Sequence, residues 1–72
     1  MTSSMEKLTR ITQIPGQCGG KPCVRGMRIR VTDVLELLAT GLTIDEITNQ
    51  ELPDLENEDV IACLNYARIK IA

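Results

Sequence analysis

Gly16-Gln-Cys-Gly-Gly-Lys-Pro-Cys-Val-Arg-Gly-Met-Arg-Ile-Arg-Val31 divides the chain into an irregular, basic N-terminal part and an acidic remainder with helical periodicity. Four of the five glycines and half of the eight Lys and Arg residues fall inside it. Pro15 and Pro22 lock φ and donate no amide hydrogen, so neither sits inside a helix or a central strand. Gly19, Gly20, Pro22 and Gly26 thus predict a shaped loop. After Gly26 the pattern turns to strict alternation: Met27, Ile29 and Val31 on one side, Arg28 and Arg30 on the other. This is the period of a strand over residues 27–31 with one buried face. It points two guanidiniums into solvent, with Lys21 and Arg25 close in sequence. Lys21, Arg25, Arg28 and Arg30 are therefore the candidate binding residues. The plainest alternative is a solvated charged edge that discourages pairing with other strands.

Working outward, 72 residues make one domain, and a chain of that size buries only about 60% of its unfolded surface. With no Trp, no Phe and one Tyr, its core has to be aliphatic. So small a core makes a homodimer the expected state. Residues 1–7 read as a disordered lead-in and residues 8–72 as a single domain. No stretch approaches the ~20 apolar residues of a membrane span and the first residues are polar, so a cytoplasmic protein without a membrane partner is expected. Three cysteines without a secretory context read as reduced, structural thiols. No histidine is present to complete a zinc site or to act as a base for a thiolate nucleophile. Neither metal nor cofactor is expected.

Charge is distributed unevenly. Residues 1–31 carry six bases against Glu6, a net of +5; residues 32–72 carry nine acids against Arg68 and Lys70, a net of −7. Such polarity suits a basic end for an anionic partner and an acidic end for something else.

Residues 8–14 are rich in Thr and Ile and stop at Pro15, predicting a short strand that could pair with the 27–31 strand, either within one chain or across a dimer. Thr32 reads as the cap of a first helix that Gly41 ends. Thr43 with Glu46 is a capping-box pattern for a short second helix to about Gln50, facing inward through Ile44 and Ile47. Beyond Pro53 a third helix starts near Glu56 or Asn57, with Val60, Leu64, Ala67 and Ile71 as its apolar stripe, widened by Ile61. The fold class expected is mainly α: a trihelical, homeodomain-like helix-turn-helix domain preceded by a short N-terminal β-strand pair.

Ile14-Pro15-Gly16, Gly19-Gly20-Lys21-Pro22, Arg25-Gly26, Arg28-Ile29, Gly41-Leu42-Thr43, Pro53-Asp54-Leu55 and Glu58-Asp59-Val60 together resemble the small prokaryotic family catalogued as domain of unknown function 433. The likeness runs from about Ile11 to Ala67, with Met27, Arg30 and Glu56 departing from the usual residues. It implies a helix-turn-helix-like fold and, because members accompany PIN-like nucleases, a role as a VapB-type antitoxin that binds and neutralises such a toxin.

Three function classes follow. In a helix-turn-helix protein the start of the last helix reads DNA. Here that start is Glu56, Glu58 and Asp59, which a polyanion repels. Acids there also simply favour the helix dipole. Operator DNA, if bound by a transcriptional regulator of this kind, would meet the basic ribbon of Lys21, Arg25, Arg28 and Arg30. A protein partner with clustered carboxylates, such as a PIN-like nuclease, would accept an arginine bidentately. Catalysis is disfavoured: Gly19-Gly20-Lys21 is similar to a phosphate loop, but Pro22 replaces its hydroxyl residue, and no nucleophile has a base.

Overall fold

A computed structural model describes residues 10–13, 15, 16 and 18–71. The lead-in over residues 1–7 and the ends of the predicted first strand lie outside them. The elements are β1 (Ile11–Thr12), a tight turn at Cys18–Gly20, β2 (Cys23–Val24), α1 (Val31–Ala39), α2 (Ile44–Glu46) running into a π-helical turn (Ile47–Glu51), and α3 (Asn57–Ile71). Three helices behind a two-stranded antiparallel sheet are the architecture expected from the periodicities.

The strand register differs from the expected one. β1 pairs with β2, Ile11 opposite Val24 and Thr12 opposite Cys23, rather than with residues 27–31. The reason is a reversal at Arg25 and Gly26, both with positive φ, at 46° and 73°. Met27 N–H closes this turn on the Val24 carbonyl at 2.8 Å. The following segment then folds back on the other edge of β2. Val24 N–H donates to the Ile29 carbonyl at 2.9 Å, Val31 N–H to that of Pro22 at 3.0 Å, and Cys23 bridges Arg30. Cys23 and Val24 are thereby central and buried. The alternation persists in burial: Val31 is buried and Met27 and Ile29 half-buried, while Arg28 and Arg30 are exposed.

Helix α1 starts at Val31 and is capped at Arg30, two residues before the expected Thr32 cap. The Asp33 carboxylate reaches back to accept the Arg30 N–H at 3.2 Å, filling the role of a cap from inside the first turn. At its other end Gly41 has φ 104°. Gly41 N–H donates to the Leu38 carbonyl and Leu42 N–H to that of Leu37, a Schellman arrangement in which the left-handed residue satisfies two orphan carbonyls. The Thr43–Glu46 box forms in both directions: Glu46 N–H to Thr43 Oγ1 at 3.1 Å and Thr43 N–H to Glu46 Oε1 at 2.8 Å. One turn on, Leu52 N–H reaches the Ile47 carbonyl at 2.7 Å, widening the helix by a residue at the point where Ile47 is fully buried.

Val24, Val31, Val34, Ile47, Leu55, Val60 and Cys63 form the core, with Leu35, Leu37, Leu38 and Tyr66 packed against it. Helix α3 buries Val60 of the expected stripe but leaves Leu64 and Ile71 exposed. Its buried residues are Asp59, Val60, Ala62 and Cys63, whereas Leu64 is 44% and Ile71 84% exposed. The exposed positions of α3 gather at its C-terminal end, where Arg68, Ile69, Lys70 and Ile71 are all exposed. Among the described residues, no helix is long and apolar enough to cross a membrane.

Candidate functional site

The basic residues singled out by sequence part company in three directions. Arg25 turns inward. Its left-handed backbone costs a non-glycine residue about 1–2 kcal/mol, and its side chain forks onto Asp59, with Nε to Oδ1 at 2.9 Å and one terminal nitrogen to Oδ2 at 2.7 Å. The same nitrogen reaches the Asp54 carbonyl at 3.2 Å. Arg10, directly before β1, donates to Asp59 Oδ1 at 2.9 Å and to Glu56 Oε1 at 2.8 Å. Its carbonyl accepts the Arg25 N–H. Glu56 N–H completes the set on Asp59 Oδ2 at 2.8 Å. The side chain of Asp59 is 0% exposed, and each of its oxygens accepts two hydrogen bonds, which is what a buried carboxylate requires.

This clamp joins the strand layer to the first turn of α3. Burial pushes the Asp59 carboxyl upward, but the Arg25 fork, the Glu56 N–H and Arg10 outweigh it and hold the group below the usual carboxylate range. Hydrogen bonds to Glu56 and Asp59 raise Arg10, and those to Asp59 raise Arg25. One turn along α3, burial foremost and then the Asp59 charge push the Cys63 thiol up to about 12, so it behaves as a core side chain. Sequence reasoning included Arg25 for binding and missed Arg10 and Asp59. The sequence signals were an arginine at the head of a strand and the Arg25-Gly26 and Glu58-Asp59-Val60 motifs, which the fold brings together.

Arg28 and Arg30 stay outside and together. With Cys18 and Asp33 they line a cleft of about 300 Å³. Arg30 is tied to Asp33 at 3.3 Å in an exposed pair, an interaction worth about 0–1 kcal/mol. Arg28 makes no ion pair among the described residues. Lys21 faces elsewhere, at the rim of a groove between α1 and α3. The predicted loop-shaping residues hold the loop in place: Gly19 and Gly20 are left-handed, the Pro22 carbonyl accepts the Val31 N–H, and Gly26 N–H donates to Thr12 Oγ1 at 2.9 Å. Gln13 Nε2 adds a tie to the Gly20 carbonyl at 3.0 Å.

Cys18 and Cys23 are paired sulfur to sulfur across this loop, their Cα atoms 6.9 Å apart, where composition favoured separate reduced thiols. Cysteine count and compartment arguments say nothing about a turn that folds two thiols onto each other. Cys63 alone remains a free, buried thiol.

Fold and site define a small trihelical module whose basic loop is fastened to its last helix by a buried carboxylate. Residues 11–67 match the family described as "Protein of unknown function (DUF433)", and the chain belongs to that family. No curated protein and no solved structure matches it.

Proposed function

We propose that this chain is a non-catalytic binding protein of the antitoxin type, whose Arg28 and Arg30 dock into the carboxylate-rich centre of a PIN-like nuclease. The observation that carries this reading is Arg28: exposed, without a carboxylate partner among the described residues, and set beside the weakly held Arg30 in one cleft. A fastened loop loses little backbone freedom on binding, and a guanidinium matches a carboxylate in bidentate geometry. Inhibition by occupying a metal centre asks no chemistry of this chain. Operator DNA is the weaker reading. With Arg25 paired to Asp59, the ribbon cations outside that clamp are Lys21, Arg28 and Arg30, a small phosphate footprint, and Glu56 and Glu58 stand exposed at the start of α3.

The test is Arg28→Glu with Arg30→Glu, assayed for co-purification with, and inhibition of, a PIN-like nuclease encoded beside the gene, and for salt-dependent binding to the upstream DNA. Lost inhibition with DNA affinity unchanged supports the proposal. Lost DNA affinity with inhibition intact replaces it with the regulator, and loss of neither leaves a solvated edge.

A further inference from the structure

We infer that the groove between α1 and the second half of α3 is a docking site for an amphipathic helix that presents aliphatic side chains flanked by carboxylates. It lies apart from the Arg28 cleft and stands whatever the activity of the partner, so it goes beyond the function proposed above. The groove holds about 270 Å³ and is floored by Val31, Leu35, Tyr66 and Ile71. Ile71 is 84% exposed, so an apolar side chain is left uncovered at one end. Such a surface matches the helix-in-groove mode, in which a few anchors spaced by helical turns supply the contact.

The choice of occupant comes from charge. Among the described residues, the ionisable groups lining the groove are Lys21, Lys70 and Tyr66, and no carboxylate lines it. Lys70 lies with its ammonium 5.5 Å from the centre of the Tyr66 ring, so this cation stands over an aromatic side chain that lines the groove. An entering helix with Asp or Glu beside its apolar stripe finds two cations in place, whereas one flanked by Lys or Arg meets like charge over a surface of low polarity. Selection between them is therefore electrostatic, while the floor supplies sequence-tolerant attraction.

Tyr66 is the sole aromatic residue of the chain, so its fluorescence reports this groove without labelling. The probes are two synthetic helical peptides free of aromatic residues and sharing one leucine stripe, one flanked by glutamates and the other by lysines. The expected result is a saturable change in Tyr66 emission with the glutamate peptide and binding weaker by about tenfold or more with the lysine peptide. The pair Lys21→Glu and Lys70→Glu should invert that order, and Ile71→Ser should weaken both. These positions are exposed, and circular dichroism checks that each variant is folded. Equal binding of the two peptides, or binding of neither, overturns the inference. So does a Tyr66 signal that varies with protein concentration alone, which would place a second copy of the chain in the groove.

Discussion

Removing the Asp59 carboxylate is the perturbation with the largest expected effect. Asp59→Ala deletes an acceptor of four hydrogen bonds and leaves Arg10 and Arg25 without their common partner. Breaking a buried ion pair from one side costs about 3–5 kcal/mol. The side chains of Arg10 and Arg25 are 24% and 39% exposed, so both cations regain water when stranded, which sets the loss near the lower figure. Losing the reach-back bond to Glu56 N–H at the helix start adds roughly 0.5–1 kcal/mol. A loss of about 3–4 kcal/mol compares with a total of roughly 4–11 kcal/mol for a domain of this length. It should lower the thermal midpoint by about 12–30 °C. Thermal unfolding followed by far-ultraviolet circular dichroism measures it, and the double variant with Arg25→Ala isolates the coupling. If the two single losses add to within about 0.5 kcal/mol, the clamp is not a unit and the reasoning fails. The pH dependence carries an independent sign. The folded carboxyl titrates below its unfolded value, so its stabilisation is present above about pH 4 and drains away as pH falls through the lower folded value. Asp59→Asn, less stable at neutral pH, should lack that part of the acid limb.

Three further outcomes are expected from single devices in the fold. Thr43→Ala removes one arm of the reciprocal cap on α2 and should cost about 1 kcal/mol, read as a lower denaturant midpoint with an unchanged slope. Gly41→Ala meets no atom within 4 Å, so its penalty of about 1 kcal/mol comes from the left-handed backbone alone, and Gly41→Asn should recover part of it. Reducing the Cys18–Cys23 pair opens a cross-link between residues five apart, whose chain-entropy worth is about 2 kcal/mol. The midpoint should therefore fall on adding reductant, and the Cys18→Ser, Cys23→Ser double variant should be insensitive to it.

What the sequence determined alone were several features that one helical turn or one strand residue specifies, though not the cap of α1, which sits at Arg30 rather than Thr32. The Thr43–Glu46 box, the stop at Gly41 and the start of α3 near Asn57 each depend on groups within a few residues of one another. The exposure of Arg28 and Arg30 against Met27, Ile29 and Val31 follows from the two-residue period, even though the segment pairs with β2 on its other edge. What only the tertiary structure decided were the long-range pairings. Asp59 sits 34 residues from Arg25 and 49 from Arg10, and a periodicity argument places a carboxylate in the first turn of a helix toward solvent, where the dipole favours it. Once the strand layer supplies two guanidiniums, the same carboxylate becomes the most buried polar group among the described residues. The second half of α3 is then left to present Ile71 and Lys70 outward. Charge can be counted along a chain, but whether a cation is spent inside or offered outside depends on which carboxylate the fold sets beside it.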